Sequence, residues 1–230
     1  MPLFEAVAAG AGGAEFYRRV FIELDTSALD DALLLRIFQR MRALRGYLGV
    51  ELSALSWDQS TAQIRQGQAL MQIQGSWVGT EMTHHGLVPG RDYECARFPD
   101  TQGLVLFNSD QVVLLNQHAT DSVTRDRLAS ALMSVELQRD TNIMTGAAPA
   151  RVDIATTAFN QCGRQAIEDV RAANMRRTLL ESVTMSNASR DAALQGLFTI
   201  VSEHFTGQTS DAEAVVRLRE VITQAAAPKL

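Results

Sequence analysis

The sequence predicts mostly helices, and its apolar runs of strand length are confined to about the middle third of the chain. These runs span residues 69–73, 93–99, 103–107 and 111–115, and their length and boundaries are typical of strands. The last two are nearly all apolar, as in strands that are covered on both faces of a sheet. Few other strands are predicted around them, so we expect an α/β fold that is predominantly helical, with a few short strands.

The composition is that of an ordinary globular protein, and the distribution of charge limits the classes of partner that the chain is expected to bind. It has 230 residues, 46% of them hydrophobic, and a net charge of -5, which is typical of a soluble domain. Its basic residues are scattered rather than clustered, which argues against nucleic acid as a partner. No apolar run approaches the length of about 18 residues that marks a membrane-spanning helix.

The first residues do not predict a signal peptide. They lack a basic region, and Glu5 interrupts their apolar run, whereas a signal peptide has a basic start and an uninterrupted apolar stretch. The sequence as written therefore predicts either a cytoplasmic chain or one that has lost its leader.

No sequence pattern supports an enzyme. The chain lacks the nucleophile-elbow, phosphate-loop, dinucleotide-binding and zinc-protease motifs, each of which has a fixed spacing. His84 and His85 are adjacent, and on a helix their side chains point about 100° apart, so they are not predicted to share a metal ion. We therefore predict no catalytic site, no metal and no cofactor.

The segment 66–77, QGQALMQIQGSW, combines a helix end, a short apolar run and a turn that presents Trp77. Gly67 suits the left-handed position that closes a helix, and Gly75 with Ser76 turns the chain. An indole at the mouth of a strand is well placed to stack on the apolar face of a sugar ring. On this segment alone, a core role for Trp77 is the simpler interpretation, because large aromatic side chains are usually mostly buried.

The two cysteines and one aspartate leave alternatives open. Cys95 and Cys162 lie 67 residues apart without the spacing of a zinc site, so composition favours two free thiols, with a long-range disulfide as the alternative. Asp110 lies between the runs 103–107 and 111–115, which form either a hairpin or a strand that crosses between lobes. Its carboxylate could accept hydrogen bonds from a polyol, or it could be an ordinary hairpin residue.

Capping residues and apolar stripes predict the helices. A helix is expected over residues 2–9, stopped by the glycines that follow it. A long helix is expected from Ser27, with Asp30 three residues later as in a capping box. From residue 162 onward only helices are predicted, and the last of them begins at Ser210.

Six stretches of the chain carry a resemblance to a known family. They are FEAVAAGAGGAEFY, SWDQSTAQIRQGQALMQIQGSW, PGRDYECARFPDTQG, SDQVVLL, the pair SVELQRDTN and GAAPAR, and FNQCGRQ. In this order they resemble the carbohydrate-binding subunits of bacterial ABC importers, the extracellular solute-binding proteins, and most closely the glucose and mannose type. The second stretch is similar to the family's W-x(n)-G-x-A-A-M-x-x-x-G-x-W run, and GAAPAR is similar to its Gly-Ser-Ile-Pro-x-Arg region.

The resemblance implies the second lobe of a type II periplasmic-binding-protein fold, which holds a sugar in the cleft between two lobes. The residues that it places at the ligand are Trp77, Asp110, Thr145, Arg151 and Thr184. Of these, Trp77 would stack on the sugar and Asp110 would accept its hydroxyls. It also places Cys95 and Cys162 where some members carry a disulfide. A small sugar or polyol as ligand, an ABC permease as partner and a periplasmic location follow from the same resemblance.

Most of the family's first lobe has no counterpart in this sequence. The resemblance divides the chain into a second-lobe segment (1–97), a crossover segment that belongs to the first lobe in the family (98–143) and a helical return to the second lobe (144–230). Without that lobe, the runs between Leu104 and Leu115 would expose open strand edges. We therefore predict that a second copy of the chain, by swapping or edge pairing, or a partner chain covers residues 104–115.

The chain departs from the family at two ligand-facing positions. Thr145 replaces a lysine and Thr184 replaces a histidine, and each lost polar partner weakens a polyol site by about 1–3 kcal/mol. The sequence therefore predicts carbohydrate recognition for ABC-type import. The alternative is a truncated, non-transport interaction or scaffold protein derived from a solute-binding lobe, for example as a domain-swapped dimer.

Overall fold

The computed structural model describes residues 1–48, 55–101, 103–108, 122–185 and 191–226, and within these ranges the chain is mostly helical. The helices are α1 (Pro2–Tyr17), α2 (Asp31–Arg45), α3 (Trp57–Arg65), α4 (Val78–His84), α5 (Ser122–Leu132), α6 (Val135–Thr145), α7 (Gln161–Arg176), α8 (Asp191–Thr206) and α9 (Asp211–Ala226). Two short strands, β1 (Val105–Phe107) and β2 (Leu179–Glu181), accompany them. The prediction of a predominantly helical chain is confirmed. Among these described helices, none is both long and apolar enough to span a bilayer.

β1 and β2 form a two-stranded parallel sheet with Leu106 opposite Leu180. The backbone N–H of Ser182 extends the ladder by donating to the carbonyl oxygen of Phe107 at 2.8 Å. β1 is the run predicted over residues 103–107, whereas β2 falls where only helices are predicted. β1 thus has one strand partner within the chain, and the coverage of residues 104–115 by a second copy or a partner chain stays a prediction. The remainder of that segment, from residue 109, lies outside the described residues.

Two other predicted strands are not strands in the structure. In the run 69–73, the side chain of Gln72 is bound to α3: its amide donates to the carbonyl of Trp57 (3.1 Å), and its oxygen accepts from the hydroxyl of Thr61 (2.8 Å). The run 93–99 contributes only an isolated bridge between Pro89 and Tyr93. The run 111–115 lies outside the described residues.

The chain divides into two compact units, and each is assembled from separate stretches. Unit 1 comprises Met1–Leu55, Arg97–Asn108 and Arg176–Leu230, and unit 2 comprises Ser56–Ala96 and Ser109–Met175. The resemblance instead divides the chain by lobes, into segments 1–97, 98–143 and 144–230. That division stays a prediction.

Unit 1 contains the larger apolar core. In α2, the buried residues Leu34, Ile37, Phe38 and Met41 recur at helical spacing, as expected for a helix with one apolar face. Side chains of α1, α8 and α9 complete the same cluster. Among the described residues of unit 2, the cluster of buried apolar side chains is much smaller and consists of Ile154, Phe159 and Ile167.

The start of α2 differs from its prediction. Ser27 lies in a short 3₁₀ turn that is capped by Asp25, which accepts hydrogen bonds from both the N–H (2.9 Å) and the hydroxyl (2.6 Å) of Ser27. The N-cap of α2 is Asp30, whose carboxylate accepts from the N–H of Leu33 at 3.0 Å. Asp30, which was predicted to lie inside the first turn of the helix, is therefore its N-cap.

The glycines predicted to stop the first helix interrupt it only at Gly13. There the backbone adopts φ 75° and ψ 178°, and helical geometry resumes and continues to Tyr17. Gly10 instead allows the backbone at Pro99 to approach α1 closely, since a Cβ on Gly10 would lie 2.9 Å from the carbonyl oxygen of Pro99.

Glu5 is a carboxylate buried in unit 1, with only 4% of its surface exposed. Its Oε1 accepts from the hydroxyl of Tyr17 (2.7 Å) and the N–H of Val183 (2.9 Å), and its Oε2 accepts from the hydroxyl of Ser182 (3.1 Å). Burial and the neighbouring carboxylate raise the pKa of Tyr17 far above its usual value, so the phenol stays a donor. This Glu5 cluster (Glu5, Tyr17, Ser182 and Val183) joins α1 to the segment that follows β2.

Candidate functional site

Trp77 lies at the start of α4 in unit 2, and its indole is seated on a glycine. The six-membered ring packs against Gly75 so closely that a methyl group there would overlap it. Gly75 lies in a tight turn, in which its carbonyl oxygen accepts from the N–H of Val78 at 3.2 Å. Because 38% of Trp77 is exposed, it is not a core residue.

The end of α6 packs against the first turn of α4. Gly146 caps α6 in the left-handed conformation, with φ 66°. A Cβ on Gly146 would lie 2.9 Å from the carbonyl oxygen of Ser76 and 3.3 Å from the nitrogen of Thr80. This contact places the exposed Thr145 next to the turn that carries Trp77. Two of the predicted ligand-facing residues are therefore neighbours in unit 2.

A further polar side chain at this contact, Thr80, is absent from the sequence prediction. The hydroxyl of Thr80 is buried 3.2 Å from the Cβ position of Gly146, and it has no hydrogen-bond partner among the described residues. Most buried polar atoms have such a partner. The sequence signal for Thr80 is only its position about one helical turn after Trp77.

The guanidinium of Arg151 is occupied by protein atoms. It forms a bidentate pair with Asp153, with Nε donating to Oδ1 at 2.8 Å and Nη2 donating to Oδ2 at 2.5 Å. Its Nη1 donates to the carbonyl oxygen of Met133, just after α5, at 2.9 Å. The hydrogen bond from Arg151 lowers the pKa of Asp153 below its usual range. A ligand would have to compete with Asp153 to reach this side chain.

Of the other two predicted ligand-facing residues, Thr184 lies outside unit 2. Thr184 belongs to unit 1, where its hydroxyl lies 2.7 Å from the hydroxyl of Ser182. Asp110 lies outside the described residues. The structure thus brings Trp77 and Thr145 together, while Arg151 is held by Asp153 and Thr184 lies beside the Glu5 cluster.

Cys95 and Cys162 form a disulfide, with their Cα atoms 5.7 Å apart. Cys162 lies in the first turn of α7, and beside the bond Gln161 Nε2 donates to Glu94 Oε2 at 3.2 Å. One cysteine belongs to each of the two stretches that make up unit 2. The disulfide therefore ties these two stretches together.

We expect Gly75→Ala to displace the indole of Trp77, because the added methyl group would overlap the ring. In a Trp57→Phe background, Trp77 is the remaining tryptophan of the two, so the emission reports on it alone. The expected result is a red-shifted emission maximum and stronger quenching by iodide.

Gly79→Ala is the matched control for this substitution. A Cβ on Gly79 would meet nothing closer than the Tyr93 hydroxyl at 4.0 Å, so the emission of Trp77 should stay unchanged. An emission spectrum of Gly75→Ala identical to that of its parent would contradict the seating of Trp77 on this glycine.

Comparison with known proteins relates the chain to binding proteins. A probable sugar-binding periplasmic protein of Brucella suis is 37% identical over 216 residues, which make up 94% of this chain and 51% of that protein. A probable sugar-binding periplasmic protein of Rhizobium meliloti is 34% identical over 216 residues, or 94% of this chain and 52% of that protein. An uncharacterized ABC transporter extracellular-binding protein of Pyrococcus horikoshii is 25% identical over 206 residues, or 90% of this chain and 45% of that protein. No family model matches the chain.

The chain is thus homologous to probable sugar-binding periplasmic proteins and spans about half the length of the relatives it matches. The predicted resemblance to binding proteins is confirmed at this level. By their names these relatives are binding proteins and not enzymes.

Proposed function

We propose that this chain recognises a sugar as part of a solute-binding protein for ABC-type import, with the second lobe of a type II binding-protein fold. The observation that carries the proposal is Trp77, an indole seated on Gly75 and 38% exposed beside Thr145. A flat apolar surface with nearby hydroxyls suits the C–H face and the hydroxyl groups of a pyranose. The names of the homologous proteins support this ligand class.

Under this proposal the predicted residues take different roles. Trp77 stacks on the sugar, and Thr145 and Asp110 exchange hydrogen bonds with its hydroxyls. Arg151 reaches the ligand only if its pair with Asp153 opens. An ABC permease as partner and a periplasmic location belong to the same proposal.

A thermal-shift screen of monosaccharides and disaccharides tests the proposal. A sugar at about 100 times its dissociation constant stabilises the folded chain by about 2.7 kcal/mol. For a chain of this size that corresponds to a rise in Tm of about 5–10 °C. We expect Trp77→Ala to weaken binding of the active sugar by about 10- to 100-fold, because the stacking surface is lost.

Trp57→Ala is the matched control for the loss of stacking. Trp57 also lies in unit 2 and is 44% exposed, but it begins α3 and its carbonyl is bonded to Gln72. Its substitution should leave the sugar-induced shift unchanged. Equal losses in the two variants would show that Trp77 is not the stacking residue.

A second candidate function is a non-transport interaction or scaffold protein. The observation that favours it is Arg151, a predicted ligand-facing residue whose guanidinium is bound by Asp153 and the Met133 carbonyl. Unchanged Tm values across the sugar panel would support this function over sugar recognition.

A further inference from the structure

The chain turns back along α6 after that helix ends. Gly146 caps the helix in the left-handed conformation, with φ 66°, and residues 147–151 continue without helix or strand. The N–H of Ala150 donates to the side-chain oxygen of Gln138 at 3.2 Å, so these residues return alongside the helix that they leave. Together, α6 and residues 146–151 form the α6 hairpin, with its tip at Gly146.

Arg151 binds the base of the α6 hairpin, far from the tip. Its Nη1 donates to the carbonyl oxygen of Met133, just before α6 begins, at 2.9 Å. Thr145 is the last of the 11 residues of α6, which as a helix span about 16 Å. An extended chain covers this distance in about five residues, which matches the path from Gly146 to Arg151. Arg151 and Thr145 therefore lie near opposite ends of α6, farther apart than one pyranose ring extends.

Asp153 fixes the direction of the Arg151 guanidinium. Nε and Nη2 donate to the two carboxylate oxygens, and such a bidentate pair holds the plane of the guanidinium. The remaining nitrogen, Nη1, thereby points at the carbonyl of Met133. The side chains of the pair are 32% and 54% exposed. Because an ion pair this exposed contributes little to stability, we expect variants of either residue to fold.

Both arms of the α6 hairpin also pack against the apolar cluster of unit 2. This cluster consists of Ile154, Phe159 and Ile167. Val135, in the first turn of α6, and Ala148, in the returning residues, pack against it. The inner side of the hairpin is therefore held by apolar contacts, while its base is held by the hydrogen bonds of the guanidinium.

The tip of the α6 hairpin contacts the turn that carries Trp77. A Cβ on Gly146 would lie 2.9 Å from the carbonyl oxygen of Ser76, so the two backbones are in direct contact. Thr145 immediately precedes this contact and is exposed. A binding side chain must be held to within about 0.5 Å of its place by the residues around it. A tilt of the hairpin on the cluster would move the tip, and Thr145 with it, relative to the indole.

We propose that Arg151 is a positioning residue of the proposed sugar site rather than a ligand contact. Its bond to Met133 and its pair with Asp153 hold the base of the α6 hairpin. The tip, with Thr145, is thereby held beside Trp77. This inference rests on the proposed function, because a preorganised site binds a sugar more tightly than one that must be assembled on binding. It also assigns to Asp153 a role that the sequence prediction does not contain.

Asp153→Ala distinguishes a positioning role of Arg151 from direct ligand contact by the direction of its effect. A guanidinium that contacted the sugar would be freed by this substitution, so sugar binding would stay the same or become tighter. A positioning guanidinium loses its support, and we expect binding to weaken about tenfold. Arg151→Gln should weaken binding by about the same factor, and the double variant no further, because all three remove the same support. Calorimetric titration with D-glucose and D-mannose, the sugars of the resembled type, measures the affinities.

Arg139→Gln is the matched control for Arg151→Gln. Arg139 also belongs to the α6 hairpin and also pairs with an aspartate, since its Nε donates to Asp140 Oδ1 at 2.7 Å. This pair joins two adjacent residues of one helix and does not connect the base of the hairpin to the returning residues. Its loss should change sugar affinity by less than about twofold.

Hydrogen exchange of the sugar-free chain tests the same inference without relying on the proposed function. Peptides that cover residues 142–150 and the first turn of α4 should exchange faster in Asp153→Ala and Arg151→Gln than in the parent and in Arg139→Gln. This result, combined with no sugar binding by the parent, would refute the proposed function and support the anchoring by Arg151. Unchanged exchange in both variants would overturn the inference, as would sugar binding by Asp153→Ala as tight as that of the parent.

Discussion

Reducing the Cys95–Cys162 disulfide is expected to lower the free energy of unfolding of unit 2 by about 4 kcal/mol, since the bond closes a loop with a sequence separation of 67. A bond of this kind restricts the unfolded chain, and its contribution grows slowly with loop length. The effect should be a large share of the total here, because the cluster of buried apolar side chains among the described residues of unit 2 is small, with Ile154, Phe159 and Ile167 as its members. Domains are typically stable by only about 5–15 kcal/mol.

Tryptophan fluorescence can follow this loss in unit 2 alone. Both tryptophans of the chain, Trp57 and Trp77, belong to unit 2. Urea unfolding with and without reductant should therefore show a lower midpoint by fluorescence in the reduced protein. The double variant Cys95→Ser/Cys162→Ser should match the reduced protein and should not respond to reductant, because the chain has only these two cysteines. Identical midpoints for the oxidised and reduced protein would contradict the prediction.

Replacing Glu5 with alanine is expected to destabilise unit 1 by about 2–6 kcal/mol, because two of its three donors, one buried and one half-buried, lose their acceptor at about 1–3 kcal/mol each. These donors are the hydroxyl of Tyr17 and the N–H of Val183, which both bond to Glu5 Oε1. The lost carboxylate also leaves a small cavity against the core.

Urea unfolding monitored by circular dichroism measures the effect, and two variants control it. Glu15→Ala removes a glutamate that is 69% exposed and paired with Arg18, so it should change stability by less than about 1 kcal/mol. Glu5→Gln keeps one side-chain oxygen as an acceptor and should fall between the two. If Glu5→Ala is no more destabilising than Glu15→Ala, the Glu5 cluster does not support the fold.

Local signals predicted the helices well, because caps and apolar stripes act over a few residues. The last helix begins after the predicted Ser210, whose hydroxyl accepts from the N–H of Glu213 at 3.2 Å, and the left-handed Gly67 lies just beyond the end of α3. β2 could not be predicted in this way, since its three residues pair with a strand more than 70 positions earlier. The strand predicted over residues 69–73 is wrong for a similar reason. Gln72 binds α3, and no local sequence pattern indicates that contact.

The candidate site was less predictable than the fold. The sequence motif singled out Trp77, but its exposure depends on the contact with Gly75, which requires coordinates. Arg151 was predicted to face a ligand, and its actual partner, Asp153, is only two residues away. That spacing was visible in the sequence, yet it does not distinguish an internal ion pair from a ligand contact. Thr80 became evident only through the burial of its hydroxyl beside Gly146.

The discontinuous build of unit 1 has a consequence for the order of events on the ribosome. Its core combines α1 and α2 near the start of the sequence with α9 near the end. Phe4 and Phe38 therefore leave the exit tunnel long before Leu218, which belongs to the same cluster. At typical synthesis rates this interval is roughly 10–30 s. During that time the apolar faces of α1 and α2 are open to chaperones, and unit 1 completes its core only after α9 has been synthesised.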